Sequence, residues 1–520
     1  MNYIALTIGP IHEVLINSKK TRELWVGSYF FSYFMKSLIS KLLESEEKID
    51  FLVPFVKDNE LDSLNISLEV GVFHDRFIAT STSSKENLKN FLENKISETL
   101  FDFAEIISKN EKDKYYNALK EYFQYHYIIA TENELLENTK KENIVFSADA
   151  ILDSLELQTK FTFDNKTNIA NSKDVQTKDK INPIAKLQYE ASRLKKDLEL
   201  NKLNFLSIPE IALANIIDTK IFKNFDFIKF KDEDNLNEYD FFYKAFENEK
   251  TFKPYHKYFA VIQADGDKMG ENIRKNLKNI GEISKNIYKY ITQEKGDFKS
   301  INKMFEDFGG MLIYAGGDDL LGFAPIVGKD GKSFFKLLEN LSSKFKNYLG
   351  NDLSLSFGVS INYYKSPMIE AINQSSYLLF DKAKNHNTDN KSGSVALSLT
   401  KHSGQTFEGT FFLNDNIYKS YEKLFEDELS EKIELPHNIQ YSLKSLETIF
   451  ISIFKNNENI DERVNAIFKN LVQDSSQNEK MKSSIDEIKN YLLKVKPSTK
   501  VDFEKFITQL AIIKFLRGDM

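Results

Sequence analysis

The chain opens on an alternating apolar pattern, "YIALTIG" at residues 3–9, which predicts a strand, followed by helical periodicity from about Glu13 to Leu43. The strand-like runs "LVPFV", "LEVGVF" and "RFIATST" then alternate with charged helical segments, so residues 1–145 read as an α+β domain. From 146 to 250 the pattern degrades. The polar stretch "FDNKTNIANSKDVQTKDKINP" sits between helical pieces, which predicts a small, mainly helical insert.

Residues 251–408 carry the clearest pattern. "KYFAVIQADGDKMG" reads as a strand that stops at Asp-Gly-Asp, and a helical stretch runs on to about Phe308. "GMLIYAG" and "LLGFAPI" then form a hairpin around Gly316, Gly317, Asp318 and Asp319. The helix "SFFKLLENLSSKFKNYL", the strand "LSLSFGVSINYY", the helix "MIEAINQSSYLLFDKAKN" and the strand "SVALSL" follow. This β-α-β-β-α-β-α-β order is the ferredoxin-like arrangement with one strand appended. Residues 409–520 read as charge-rich amphipathic helices, a C-terminal helical domain.

Composition narrows the chemistry. At 520 residues the chain is too long for one core. The net charge of −7 offers no global field for nucleic acid, so any such contact is local or shared with partners. The absence of cysteine excludes disulfides, thiolate zinc sites and cysteine nucleophiles. The N-terminus lacks a signal-peptide pattern, and the most apolar stretch, "LWVGSYFFSYFM", is too short to span a bilayer, so a cytoplasmic location is expected.

In a βαββαβ sheet the first strand neighbours the central hairpin. Asp265, at the end of the first strand, should therefore lie beside the hairpin tip that carries Asp318 and Asp319. Clustered carboxylates repel unless a cation neutralises them, and oxygen-only ligands select hard ions such as Mg²⁺ or Mn²⁺. A two-metal site of this kind activates a 3′-hydroxyl and neutralises a triphosphate during in-line attack. Gly316 and Gly317 suit a tight turn that a nucleotide approaches closely, Gly266 offers a bare carbonyl to metal, and Lys384 is a candidate triphosphate contact, with Lys382 the weaker one. A lone Gly-Gly-Asp-Asp is more often a solvated turn; the Asp-Gly-Asp strand end and the element order speak against that here. "FHDRF" at residues 73–77 contains a His-Asp pair. With only seven scattered histidines it reads as a strand-edge pair rather than a phosphohydrolase centre. Trp25, the sole tryptophan, reads as a core or interface anchor.

"TIGPIHEVLINSKKTRELWVGSYFFSYFMKSLI" resembles the opening of the first palm in the large polymerase-like subunit of type III CRISPR effector complexes, particularly the Cmr (III-B) kind. "YFAVIQADGDKMG", "YAGGDDLLGFAP", "SFGVSINYYKSPMIEAINQSSYLLFDKAKN" and "VALSLTKHSGQ" resemble the second, catalytic palm of that subunit. The resemblance implies two ferredoxin-like palm domains of the nucleotidyl cyclase type, with ATP bound between them. It also implies assembly with other Cmr subunits, contact with guide and target RNA mainly through that complex, and synthesis of an adenylate messenger with release of pyrophosphate. The product is a cyclic oligoadenylate in most of the family and an adenylyl conjugate of S-adenosylmethionine in some members. Asp265, Asp318 and Asp319 match the metal-binding acids, and Lys384 matches a phosphate-contacting lysine. Many relatives begin with an HD nuclease domain, whereas this sequence starts at the first palm, so no HD nuclease activity is expected; the insert likewise lacks the cysteine zinc site of many relatives. Two rival readings stay open: a diguanylate cyclase, although Asp319-Leu320 stands where those enzymes carry Glu-Phe, and a catalytically silent scaffold.

Overall fold

The computed structural model describes the chain except for residues 45–46, 60, 66–68, 142, 158–182, 201–202, 217–251, 276–278, 295–297, 475–477 and 519–520. Two antiparallel-based sheets organise it. In the first, β1 (Asn2–Gly9) lies between β3 (Arg76–Ser81) and β4 (Gln124–Thr131), with β2 (Ile49–Val53) at the edge, giving the order β2-β3-β1-β4. The helices α1 (Thr21–Leu43) and α2 (Lys85–Ile107) make the two crossovers, which is the ferredoxin-like topology.

The second sheet has six strands. They are β5 (Tyr258–Asp267), β6 (Met311–Gly316), β7 (Asp319–Pro325), β8 (Ser354–Tyr363), β9 (Ser394–Thr400) and β10 (Thr406–Phe412), in the order β10-β9-β8-β5-β7-β6. Four of its strands, in the order β8-β5-β7-β6, repeat the ferredoxin-like arrangement, so the α+β reading with two such units holds. Two strands are appended rather than one: β9 runs parallel to β8, and β10 pairs antiparallel with β9. β10 escapes the sequence pattern because it is a half-exposed edge strand, broken by Glu408 and Gly409. The expected boundary at 408 falls inside this strand.

β5 shows how the two units share a core. Phe259 and Val261 point into the apolar cluster that also holds Trp25, Phe30 and Phe34 of α1, while Ala260, Ile262 and Ala264 point into the cluster built with the C-terminal helices. That period-2 alternation welds the second sheet between the first unit and the helical C-terminus. Trp25 is wholly buried in this shared core, stacks on Tyr29 and donates its indole N–H to the Glu69 carbonyl at 2.9 Å.

Much of the expected insert, residues 158–182, 201–202 and 217–250, lies outside the described residues, including nearly all of its polar stretch. The described helix α3 (Pro183–Tyr189) adds Ile184 and Leu187 to the first unit's core, and Gln188 donates to Ser18 Oγ at 3.0 Å and to the Glu23 carbonyl at 3.1 Å. The preceding helix, Ile144–Glu156, runs across the expected boundary at 145 and buries Val145, Ala148 and Leu152 against Ala5 and Ile78 of the first sheet. Among the described residues no helix is long and apolar enough to cross a membrane.

Candidate nucleotidyl-transfer site between the two sheets

The hairpin β6-β7 closes in two residues, with Gly316 paired to Asp319 and Gly317-Asp318 at the tip. Gly317 has φ +68°, and a two-residue hairpin with a positive φ at its first central position favours glycine there. The pairing of β7 on β5 sets Leu320 opposite Ala264, which brings the hairpin tip up to the end of β5 at Asp265. Three carboxylates separated by about fifty residues of sequence, Asp265, Asp318 and Asp319, thereby interact directly. Gly266 must be a glycine here: a Cβ would stand 2.5 Å from Asp318 Oδ2 and 2.7 Å from Met269 Cγ.

The electrostatics are those of acids short of a counter-ion. Desolvation first, then the Asp265 charge, pushes the Asp318 carboxyl up to about 6, against hydrogen bonds from the backbone at Asp318 and Gly266 and the attraction of Lys384. Desolvation, a hydrogen bond with Asp265 and the charges of Asp265 and Asp318 raise Asp319 as well. Asp319 opens to solvent in a cavity, so its shift is the more screened of the two.

Lys384 meets this cluster from the opposite side. Its ammonium donates to the Gly266 carbonyl at 2.7 Å and to Asp267 Oδ1 at 3.0 Å, and it pairs with the Asp265 carboxylate. Burial lowers the Lys384 pKa, but Asp267 and Asp265 outweigh it and raise the value. Lys382 does not reach the cluster; it lies 3.6 Å from Glu408 and beside Tyr377. Residues two apart on a helix face nearly opposite ways, so the helix that carries Lys384 to the cluster turns Lys382 away from it; a π-helical turn, Leu378–Ala383, stands just ahead of Lys384.

Asp267 plays a different part from Asp265. It is 4% exposed, and it accepts hydrogen bonds from Ser354 Oγ at 2.6 Å, Ser356 Oγ at 2.8 Å, Asn387 Nδ2 at 2.9 Å and the Gly393 N–H at 2.9 Å. It ties the end of β5 to β8 and to the start of β9. The sequence marks both ends of Asp-Gly-Asp alike; only these four donors separate anchor from site.

The hairpin tip divides two cavities. One of about 610 Å³ is lined by Asp319, Gly316 and Tyr314 from the second unit and by Glu13, Asp75 and Glu156 from the first. The other, of about 220 Å³ and largely apolar, receives Asp318 and Gly317 together with Val72, Met269 and Ile287. Asp318 in the turn and Asp319 at the head of β7 thus serve different cavities.

His74 lines both cavities and lies against the turn. A Cβ on Gly317 would come within 2.3 Å of its Cε1. The His-Asp pair does precede β3 at the strand edge, but its segment also forms a parallel bridge, Gly71 with Tyr314, to the hairpin. Burial lowers the His74 pKa, so the ring is neutral at pH 7. Sequence reasoning missed this contact because nothing local says which surface a strand edge will meet.

The all-oxygen donor set of Asp265, Asp318, Asp319 and the Gly266 carbonyl fits a hard divalent cation, whose charge would relieve the raised carboxyls. Among the described residues no three acidic or histidine side chains already surround a common metal position; Asp265 is engaged by Lys384 and Asp319 instead.

Residues 258–392 match the family model described as Cas10/Cmr2, second palm domain, and residues 3–107 match that of the N-terminal part of the CRISPR-associated protein Cmr2. One stretch in each ferredoxin-like unit thus matches a model of a Cas10/Cmr2 domain. The first and second ferredoxin-like units are accordingly called the first and second palms below. A curated relative, the CRISPR system Cmr subunit Cmr2 of Pyrococcus furiosus, is 32% identical over 200 residues, which is 34% of this chain and 22% of the relative. The likeness therefore spans well under two thirds of the relative's length. Two solved structures share the fold of this chain: type III-B Cmr-beta in the apo state (TM-score 0.55, 12% identity, 99% of this chain and 81% of that one) and the same assembly bound to cognate target RNA (TM-score 0.57, 11% identity, 99% and 83%).

Proposed function

We propose that this chain is the nucleotidyltransferase subunit of a type III-B CRISPR effector complex, activated when that complex recognises target RNA, and that it transfers the adenylyl group of ATP to an acceptor hydroxyl. The observation that carries the reading is the meeting of Asp265, Asp318 and Asp319 at the end of β5, against a cavity of about 610 Å³ between the palms. The matches to Cas10/Cmr2 domain models and the Cmr name of the relative support the assembly with other Cmr subunits, with guide and target RNA engaged through them.

Attack of the acceptor hydroxyl, whose proton passes to water, forms a bond to the α-phosphorus, breaks its bond to the oxygen shared with the β-phosphorus and releases pyrophosphate. Asp265, Asp318, Asp319 and the Gly266 carbonyl would hold Mg²⁺ or Mn²⁺, which when bound polarises the phosphate oxygens and lowers the pKa of a coordinated hydroxyl. Gly316 lines the larger cavity, Gly317 lets the turn close against His74, and Lys384 is positioned to receive phosphate charge.

One observation bears on the acceptor. The larger cavity presents Glu13, Asp75, Glu156 and Asp319, and the nearby Arg76 is already held by Asp149, Asp153 and Glu156. A second triphosphate would meet that acidic wall unfavourably, whereas a cationic acceptor such as S-adenosylmethionine would not. Between a cyclic oligoadenylate and an adenylyl conjugate, this lining favours the conjugate.

The test is mass spectrometry of products from the assembled complex with guide, matching target RNA, ATP and Mn²⁺, with and without S-adenosylmethionine. Pyrophosphate release that survives Asp318→Ala with Asp319→Ala sinks the site. GTP consumption without RNA would instead support a diguanylate cyclase, and co-purification with no turnover under any RNA condition a silent scaffold.

A further inference from the structure

Lys384 occupies the place where the metal reading needs room. Its ammonium is within 2.7 Å of the Gly266 carbonyl and 3.2 Å of the Asp265 carbonyl, pairs with the Asp265 carboxylate, and touches Asp267 Oδ1 at 3.0 Å. Two of those groups, the Asp265 carboxylate and the Gly266 carbonyl, belong to the donor set that fits a divalent cation. No surface lysine drifts into such a position, because here the backbone is built to deliver it. The helix after β8 widens into a π turn immediately before Lys384, and π turns recur at functional sites because they re-aim the following side chain. That turn lies hard against β8: a Cβ on Gly358 would stand 2.1 Å from the Ser375 carbonyl and 2.5 Å from the Leu379 nitrogen.

We propose that Lys384 is a resident cation that holds the divalent-metal position in the nucleotide-free protein and is exchanged for the metal when metal and nucleotide enter together. This rests on the metal reading given under Proposed function. An ammonium and a divalent ion cannot share the Asp265 oxygen and the Gly266 carbonyl, since like charges at contact distance repel strongly in a partly desolvated site. A metal arriving alone must therefore expel Lys384 from Asp265 with no new partner in prospect. A metal arriving with a triphosphate gives the expelled ammonium a phosphate oxygen to bind. The two ligands then favour each other, and by reciprocity nucleotide binds better with metal and metal better with nucleotide. The exchange leaves the anchor intact, because Asp267 keeps its bonds from Ser354, Ser356, Asn387 and Gly393.

The test is a Mn²⁺ titration of the full chain followed by electron paramagnetic resonance at about pH 8.5, where protons compete least for the carboxylates. Wild type is compared with Lys384→Met and Lys384→Gln, with Asp265→Asn as the control that removes a metal ligand. Without nucleotide, both lysine variants bind Mn²⁺ roughly tenfold or more tightly than wild type, the scale of one lost close competing charge. A non-hydrolysable ATP analogue tightens Mn²⁺ binding markedly in wild type and much less in the variants. Equal or weaker Mn²⁺ binding by folded Lys384→Met and Lys384→Gln without nucleotide overturns the exchange while leaving the metal site standing. Mn²⁺ binding that is absent in all forms, or that Asp265→Asn leaves unchanged, overturns the metal reading and the exchange with it.

Discussion

Asp265 and Asp267 are two residues apart in one short motif, and the structure predicts opposite responses to their removal. Asp267→Ala deletes a buried carboxylate and strands the donors of Ser354, Ser356, Asn387 and Gly393 together with part of the Lys384 charge. Each bond to a charged group is worth about 1.5–3 kcal/mol, and unpaired buried partners cost more than the bonds gained, but such terms do not add within one network. Breaking a buried charge pair on one side costs about 3–5 kcal/mol, and that is the loss expected for Asp267→Ala. Asp265→Ala instead removes the charge that raises both Asp318 and Asp319, while Lys384 keeps Asp267 and the Gly266 carbonyl. It is expected to leave metal-free stability within about 1 kcal/mol of wild type, or to increase it, while abolishing pyrophosphate release. The assay must report on the second palm. Trp25, the only tryptophan, sits on α1 in the core that both palms share, so its fluorescence does not isolate the second palm. Hydrogen exchange of β5, β8 and β9 in increasing denaturant, read by mass spectrometry, isolates the right one. An Asp267→Ala protein within about 1 kcal/mol of wild type, or an Asp265→Ala protein as unstable as expected for Asp267→Ala, would refute the division into anchor and site.

Other consequences are equally open to measurement. Asp318 has its folded value raised to about 6, above the unfolded value, so its ionisation weakens the metal-free fold as pH rises from about 4 through about 6; partial exposure discounts this to about 1–3 kcal/mol. Asp318→Asn should accordingly raise the melting temperature at about pH 8 and not at about pH 4, and an equal effect at both would contradict the burial argument. Gly317→Ala puts a Cβ into His74 at positive φ and should destabilise by about 2–4 kcal/mol; His74→Ala introduced alongside should recover part of that loss, and a fully additive double variant would show the contact is not felt. Lys382→Ala, facing Glu408, should leave Mn²⁺ affinity and pyrophosphate release within about twofold of wild type, and a change in either comparable to that of the Lys384 variants would reverse their assignment.

The order of elements in the second palm, the hairpin and the convergence of Asp265 with Asp318 and Asp319 were legible in the chain itself; in the first palm β4 went unread, and the described part of "LEVGVF" forms an isolated bridge at Gly71 rather than the expected strand. Period-2 and helical periodicities are local signals, and the βαββαβ order alone sets the first strand beside the hairpin. What stayed hidden depended on contacts between distant segments. The difference between Asp265 and Asp267 turns on serines of β8 and a backbone N–H before β9. The seat of His74 on Gly317, and the acidic wall assembled from Glu13, Asp75, Glu156 and Asp319, exist only because the shared core around Trp25 brings the two palms together. Local sequence thus determined which chemistry could be assembled, and the packing of one palm on the other decided which groups face it, because a cavity between two units belongs to neither pattern alone.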